Sequence, residues 1–213
     1  MTTSLCRDMT SSLQEVIESR VSVNHFLPDQ SLADNTISTL VHLATKAPSA
    51  YNLQNWRFIA VRSNEAKMRL KAAAMGQQKV VDAAVTFIVC GVLQAHRGLG
   101  TVLQASVEAC IMPQGTVDAW VAQAAAAHEG NTELQRDEAV RSASLAAMTL
   151  MLAAEGMGLG SCPMSGFDPA ALALEFQLAD TEFPVMLVAV GYPVAGNWPQ
   201  KPRKPIAHVL TIV

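Results

Sequence analysis

The spacing of apolar positions switches several times between a helical and an extended period. Helical spacing covers residues 13–20, 32–46 and 136–155 and predicts three helices. Unbroken apolar runs rich in Val, Ile and Phe cover residues 83–93 and 183–190. Such runs are typical of strands covered on both faces, so the sequence predicts a buried sheet packed between helices.

Shorter elements are predicted between these five. Residues 57–62 predict a strand, and residues 65–74 predict a basic helix that Asn64 caps. Asp168 followed by proline is a favoured helix start, and residues 207–213 predict a final strand. The order of elements indicates an α+β or α/β protein with a central sheet.

The middle of the chain, residues 94–131, has the weakest pattern. A break is indicated at Pro113, and Thr116 or Asp118 would start a helix over residues 120–128. No internal repeat is visible in this segment or elsewhere, so the sequence does not predict a repeat architecture.

Composition narrows the class of protein. Of 213 residues, 50% are hydrophobic and 15% are charged, whereas about a quarter are charged in an ordinary soluble domain. This apolar excess favours a large subunit interface in addition to a core. The net charge of −3 shows no excess of basic residues of the kind that binds nucleic acid. No apolar run is long enough to span a membrane.

The cysteines and the N-terminus indicate the compartment. Cys6, Cys90, Cys110 and Cys162 have no C-x-x-C spacing, and residues 1–10 lack the apolar core of a signal peptide. We therefore expect a cytoplasmic protein with reduced thiols and no metal site.

A polar loop at residues 47–58 is a local candidate for a binding site. Its sequence is Ala-Pro-Ser-Ala-Tyr-Asn-Leu-Gln-Asn-Trp-Arg-Phe, between a predicted helix end and a predicted strand start. Backbone N–H groups and short polar side chains at such a junction can face a ligand. A simple connecting turn is an equally weighted alternative.

Four basic residues lie far apart in sequence but would suit one ligand. Arg20, Lys79, Lys201 and Arg203 would together bind a phosphate, which guanidinium groups hold with paired hydrogen bonds. Each residue alone is more typical of a solvated surface charge. The Gly-x-Gly-x-Gly sequence of residues 156–160 follows a helix, which favours a helix C-terminus over a dinucleotide fingerprint.

The usual catalytic groups show no catalytic arrangement. The five histidines have no ligand spacing, and no serine lies in a G-x-S-x-G elbow. Cys162, before Pro163 in a predicted glycine-rich turn, is expected to be a structural thiol rather than a nucleophile. An enzyme without such groups takes its chemistry from an organic cofactor.

Several segments carry a resemblance when they are taken together and in order. They are residues 18–22 with Phe26, 47–58, 156–167, 184–193 and 201–205. In this combination the chain resembles the nitroreductase family of FMN-dependent oxidoreductases. The resemblance extends over nearly the whole chain, and residues 94–131 are the stretch without a match.

The resemblance implies a fold and an assembly. The fold would be one α+β domain over residues 1–213, a three-layer α-β-α sandwich with a central, mostly antiparallel sheet flanked by helices. The assembly would be an intertwined homodimer with the helix from Arg136 in its interface, which would account for the apolar excess. Residues 94–131 would form an arm over the open face of the cofactor.

The resemblance also implies an FMN site at the dimer interface. Arg20 and Ser22 would meet the phosphate and ribityl end, Arg203 would hold the phosphate, and Lys201 would lie beside it. Residues 164–166 would pass beside the flavin and offer a backbone N–H towards N5. The full expected set is Arg20, Val21, Ser22, Asn24, Pro48, Ser49, Ala50, Asn52, Gln77, Lys79, Pro163, Met164, Ser165, Gly166, Lys201 and Arg203.

Two parts of this set have a further implied role. Pro48, Ser49 and Ala50 would come from the partner subunit and line the cofactor. Lys79, or the glutamines just before it, would reach the ring or the ribityl chain. No protein residue is expected to be catalytic in itself, because the flavin N5 carries the chemistry.

The implied activity is hydride transfer from NADH or NADPH through FMN to a small oxidant, in a ping-pong order. A nitroaromatic, a quinone or an enone would serve as the oxidant. Two alternatives remain open: a flavin-binding protein without catalysis, and a specialised reaction of the same fold, such as reductive dehalogenation or flavin cleavage.

Three positions depart from better-known family members. Asn24 and Ser165 stand where some members have lysine and glutamate, and Asn55 replaces a common proline. Loss of a cation at position 24 would make FMN harder to reduce, because negative charge on the reduced flavin would be less stabilised. Asn55 is expected to adjust the backbone only.

Overall fold

A computed structural model describes residues 12–213 and contains one four-stranded sheet in that range. The strand order is β1-β2-β4-β3, and every neighbouring pair is antiparallel. The strands are β1 (Trp56–Val61), β2 (Val85–Val92), β3 (Gly160–Met164) and β4 (Glu182–Gly191). The protein is therefore α+β, which settles the choice left open by the order of elements.

Eight α-helices and three short 3₁₀ helices surround this sheet in the described part of the chain. The α-helices are α1 (Leu13–Ser19), α2 (Asp34–Ala44), α3 (Asn64–Ala73), α4 (Lys79–Asp82), α5 (Leu99–Glu108), α6 (Gln114–His128), α7 (Thr132–Gly156) and α8 (Pro169–Glu175). The 3₁₀ helices are Ala50–Asn52, Ala95–Gly98 and Ile206–His208.

Helices cover both faces of the sheet. On one face, Phe87 and Val89 of β2 pack with α2 and α7. On the other face, Ile88 and Cys90 of the same strand pack with α3, α4 and α8. All four side chains are completely buried, and each large apolar one stabilises the fold by about 1.5–3 kcal/mol. This arrangement confirms the prediction of strands covered on both faces.

The long helix α7 packs closely because its inner face consists of small residues. Ala143, Ala146, Ala147 and Ala154 are completely buried against α2 and the sheet. Asn131 caps the helix by accepting a hydrogen bond from the N–H of Leu134 at 3.1 Å. The helix starts four residues before the predicted range of 136–155 because this cap lies upstream of the apolar pattern.

Two predicted helix starts are wrong. Ser63 rather than Asn64 caps α3, since its hydroxyl accepts from the N–H of Ala66 at 3.2 Å. Helix α6 begins at Gln114 rather than at Thr116 or Asp118, directly after the extended Pro113. Proline suits this position because the first N–H groups of a helix have no partner within it.

The middle segment is more regular than its sequence pattern suggests. Helix α5 was not predicted, and it pairs with α6 around a small apolar cluster of its own. Leu99, Leu103 and Val117 form the centre of this cluster together with Leu53 from the polar loop. Because the cluster combines two distant segments, the helical period of α5 alone was too weak to indicate it.

Two further predictions about strands are corrected. The glycine-rich turn around Cys162 is in fact β3, which pairs with β4 from Gly160 opposite Gly191 to Met164 opposite Leu187. The strand predicted for residues 207–213 is absent from this described segment, where Ile206–His208 form a 3₁₀ turn. A strand needs a neighbouring edge for its hydrogen bonds, and the tail has none within the described chain.

Candidate cofactor site

The two ends of the described chain meet in a basic pocket. Arg20 ends α1 as its C-cap residue, and the C-terminal segment returns beside it. A pocket of about 230 Å³ lies next to this junction. It is lined by Val21, Ser22, Trp198, Pro199, Gln200, Lys201 and Arg203. The structure thus brings together Val21, Ser22, Lys201 and Arg203, four of the residues that the family resemblance implied for the FMN site.

The guanidinium of Arg20 has an unused donor. Its Nη1 atom is buried and has no hydrogen-bond partner among the described residues 12–213. An unpaired buried donor costs about 1–3 kcal/mol, and more when it is charged. An anion at this place would remove the cost and would gain charge-assisted hydrogen bonds. The residues present therefore fit a phosphate group.

The other cations of the pocket are held in place by local contacts. The Nη1 of Arg203 donates to the carbonyl of Lys201 at 2.9 Å, and its Nη2 donates to Oε1 of Gln200 at 2.8 Å. The ammonium of Lys201 lies 5.0 Å from the ring centre of Trp198, a cation–π distance. Two positive charges, those of Lys201 and Arg203, thus line one small volume next to the backbone of Arg20, which favours an anionic ligand.

A second group of expected residues meets at the start of α4. The ammonium of Lys79 donates to Oδ1 of Asn24 at 2.7 Å and lies 3.5 Å from Sγ of Cys162. A cation therefore lies beside position 24 although the residue there is asparagine. The effect of Asn24 on the reduction of FMN stays a prediction.

The end of β3 borders the same region. Gln77 donates from Nε2 to the carbonyl of Gly166 at 2.9 Å, and so fixes the backbone where β3 ends. Met164 is buried, whereas Ser165 is exposed and Pro163 and Gly166 are partly exposed. A side chain at position 166 would lie about 3.5 Å from Gln77, so the glycine leaves this backbone accessible.

The polar loop of residues 48–52 lies elsewhere in the subunit. Tyr51, Asn52 and Gln54 all have left-handed backbone angles, with φ of 52°, 60° and 47°. Ser49 accepts from the N–H of Gln54 at 2.9 Å and stabilises this turn. Within the described residues, no hydrogen bond or shared apolar cluster joins Pro48, Ser49, Ala50 or Asn52 to the Arg20 pocket.

A tightly packed polar cluster lies at the base of the middle segment. It contains Asn55, His96 and His128, each less than a twentieth exposed, and Gln135. Asn55 Oδ1, His96 Nδ1 and His128 Nε2 are buried and have no partner among the described residues. Asn55 therefore does more than adjust the backbone, because its side chain enters the joint between β1 and helices α6 and α7.

The thiols show no nucleophilic arrangement in the described part of the chain. Cys90 is buried within β2, and this burial raises the pKa of its thiol to about 12. Cys110 is exposed at the end of α5, and Cys162 is buried next to Lys79. No set of three or more His, Cys, Asp or Glu side chains among residues 12–213 is placed to hold a metal ion.

Sequence reasoning missed Gln200 and Asn197, the two amide side chains that dock the C-terminal segment. Asn197 Oδ1 accepts from the N–H groups of Asn24 and His25 at 2.7 and 3.0 Å. Its Nδ2 donates to the carbonyls of His25 and Val194, both at 2.9 Å. Amide residues in a polar tail have no distinctive sequence pattern. Their nearness in sequence to Lys201 and Arg203 was the one signal that could have indicated a role in the site.

The fold and the basic pocket define an α+β protein with a site suited to an anion, and comparisons with known proteins give the family. The model of the Nitroreductase family matches residues 17–192. YodC of Bacillus subtilis, provisionally named an NAD(P)H nitroreductase, is 31% identical over 203 residues, which cover 95% of this chain and 99% of YodC. A protein of Thermus thermophilus named NADH dehydrogenase is 31% identical over 192 residues, covering 90% and 91%.

A solved structure agrees with these relatives. A provisionally assigned nitroreductase from Exiguobacterium sibiricum, crystallised in complex with FMN, superposes with a TM-score of 0.89 at 26% identity. The match covers 95% of this chain and 98% of that one. The chain belongs to the nitroreductase family. The expected family is confirmed, and with it the enzyme class of an NAD(P)H-dependent oxidoreductase. None of the helices in the described range has the length and apolarity needed to cross a membrane.

Proposed function

We propose that this protein is an FMN-dependent oxidoreductase that takes hydride from NADH or NADPH and passes it to a small oxidant. The observation that carries the proposal is the unpaired, buried Nη1 of Arg20, whose backbone carbonyl is bonded to Gln200 at the edge of a pocket that Lys201 and Arg203 line. In a nitroreductase-family fold, this pocket fits the phosphate of FMN. The family relatives support NADH or NADPH as the reductant.

The residues that would hold FMN fall into two groups. Arg20, Arg203 and Lys201 would bind the phosphate, with Val21 and Ser22 beside them. The second group would lie along the flavin and consists of Asn24, Gln77, Lys79, Pro163, Met164, Ser165 and Gly166. When bound, FMN supplies the two-electron redox chemistry at N5.

The side chains of the second group set the conditions for that chemistry. The ammonium of Lys79, held by Asn24, provides a fixed positive charge where negative charge develops on reduction. The backbone at Gly166 is fixed by Gln77, and its polar main-chain groups would lie along the flavin. Reductant and oxidant would occupy one open face in turn, and this arrangement gives ping-pong kinetics with a nitroaromatic, quinone or enone as the oxidant.

The active assembly in this proposal is an intertwined homodimer. Leu145 and Met148 on α7 are 43% and 38% exposed, and the tail residues Leu210, Ile212 and Val213 are also exposed. Apolar surface of this extent favours burial in a second subunit. The loop of residues 48–52, distant from the pocket of its own chain, would then line the cofactor of the partner.

The middle segment would act as an arm that limits which oxidants reach the flavin. Trp120 packs at 6.0 Å against Tyr51, and Met112 packs on the same cluster, so both contribute to the stability of the arm. Ile111 is 75% exposed between α5 and α6 and is the bulky apolar residue that is free to meet a substrate.

Purification under native conditions tests this proposal directly. We expect a yellow protein with twice the chain mass that NADH or NADPH bleaches without oxygen and that a quinone, nitroaromatic or enone restores. Parallel lines in double-reciprocal plots would support the ping-pong order. A yellow protein that neither nicotinamide bleaches would instead be a binding module, and a colourless protein would contradict FMN as the cofactor.

A further inference from the structure

One glutamine bonds both the backbone of Arg20 and the side chain of Arg203. Gln200 donates from Nε2 to the backbone carbonyl of Arg20 at 3.0 Å and accepts from Nη2 of Arg203 at 2.8 Å. The first of these bonds joins residues that are 180 positions apart. One end of the Gln200 amide therefore joins the end of α1 to the C-terminal segment, and the other end holds Arg203 within that segment.

We propose that Gln200 is a positioning residue that builds the phosphate subsite, by holding Arg203 in the pocket that both residues line with Lys201. The inference rests on the proposed FMN function. The positive charges of Lys201 and Arg203 repel each other, and the Arg203 residue is exposed, so an unrestrained side chain would extend into solvent. Gln200 offsets this tendency with a neutral acceptor. It holds Arg203 in place and leaves the positive charge of the guanidinium available to an anionic ligand.

The chemistry of an amide suits this role better than its close relatives. A glutamate at position 200 would still accept from Arg203 but could not donate to the carbonyl of Arg20. Its negative charge would also neutralise Arg203 and repel a phosphate. A leucine of similar volume would make neither hydrogen bond. The ligand class that this geometry selects is a phosphate monoester such as FMN, in preference to the same flavin without phosphate.

Asn197 has a different role in the same segment. Its amide oxygen and nitrogen make four hydrogen bonds to backbone groups of Asn24, His25 and Val194. None of these bonds reaches a guanidinium, so Asn197 docks the main chain whereas Gln200 orients a charged side chain. Replacement of Asn197 should weaken FMN and riboflavin alike.

The test compares FMN with riboflavin in purified holoprotein and its variants Gln200→Leu, Gln200→Glu and Gln30→Leu. Gln30 is exposed and lines a different pocket, so it serves as the matched control. Flavin fluorescence after dilution gives the dissociation constant for FMN, and the same protein reloaded with riboflavin gives the reference. The ratio of the two constants within one variant corrects for any general loss of folding.

We expect Gln200→Leu to weaken FMN about tenfold, equivalent to about 1.4 kcal/mol, with riboflavin changed less than about twofold. Gln200→Glu should weaken FMN further, and Gln30→Leu should change neither ligand. An unchanged FMN-to-riboflavin ratio in Gln200→Leu, with wild type still preferring FMN, overturns the role of Gln200 alone. A wild type without preference for FMN overturns the phosphate subsite and this inference with it.

Discussion

The ammonium nitrogen of Lys79 lies 2.7 Å from Oδ1 of Asn24. The two residues are 55 positions apart, and their contact supplies a cation where some family members carry a lysine at position 24. Asn24 is itself fixed, because its backbone N–H donates to Asn197 at 2.7 Å. The charge next to the proposed flavin is thus provided by α4 rather than by the segment after α1.

Removal of this charge should change the flavin potential. We expect Lys79→Met to lower the two-electron reduction potential of bound FMN, because the ammonium stabilises negative charge on the reduced ring. A charged hydrogen bond contributes about 1.5–3 kcal/mol, which corresponds to about 30–60 mV for two electrons. Spectroelectrochemical titration measures the shift. Lys71→Met is the control, since Lys71 bonds Gln78 at the surface. Equal potentials in both variants would place Lys79 away from the ring.

Loss of either arginine should weaken the cofactor selectively. We expect Arg20→Ala and Arg203→Ala to reduce FMN affinity by roughly ten- to a hundredfold, with a much smaller effect on riboflavin, because only FMN carries the phosphate. Equilibrium fluorescence titration gives both constants. Arg69→Ala, which removes an exposed ion pair with Glu175, should leave both unchanged. Equal losses for FMN and riboflavin would indicate a folding defect instead.

Two residues of the same polar cluster, Gln135 and Asn55, should differ in how much stability a leucine substitution costs. Gln135 accepts from the N–H of Gln94 at 3.0 Å and donates to the carbonyl of His128 at 2.7 Å. Gln135→Leu leaves these backbone groups unpaired and should cost about 2–4 kcal/mol of unfolding free energy. Asn55→Leu removes an oxygen that has no partner and should cost less than about 1 kcal/mol. Urea unfolding measures both. A similar cost for Asn55→Leu would contradict the prediction.

The ion pair between Arg97 and Glu129, at the base of the arm, should make the stability of the fold depend on pH in the acid range. Hydrogen bonds from Arg97 and His96 lower the pKa of Glu129 from 4.5 to about 2. A carboxyl with a lowered pKa in the folded state stabilises the fold above its unfolded pKa, and this contribution is lost as the pH falls. The stability difference between wild type and Glu129→Gln should therefore be constant above pH 4.5 and disappear towards pH 2. Chemical unfolding at a series of pH values tests this, and Glu133→Gln is the control. A difference that keeps its full size down to pH 2 would contradict the prediction.

The Cys90 and Cys110 thiols should differ in reactivity in the native protein. Burial raises the pKa of Cys90 to about 12, so its thiolate is scarce and inaccessible at neutral pH. Cys110 is exposed and should be labelled first by a maleimide. The background for this experiment is Cys6→Ser, since Cys6 lies outside the described residues. Peptide mapping identifies the labelled thiol, and labelling of Cys90 at a rate comparable to that of Cys110 would show that β2 opens readily.

The sequence by itself determined the elements whose signals are local. The apolar runs around Phe87 and Val188 predicted strands covered on both faces, because alternate side chains of a strand face opposite directions and both directions were apolar. Arg20, Lys201 and Arg203 could be proposed as candidate phosphate ligands because guanidinium and ammonium groups bind few classes of partner. Their convergence on one pocket was available only as an implication of family resemblance.

Tertiary structure decided the features that depend on contacts between distant segments. Strand β3 forms because β4 offers an edge to Gly160–Met164, and the apolar tail stays without a strand because no edge reaches it in the described chain. Lys79 restores a cation at Asn24, and Gln200 joins Arg20 to Arg203. An amide side chain bonds whichever polar group lies within about 3 Å, so its role is set by the folded neighbourhood rather than by its place in the sequence.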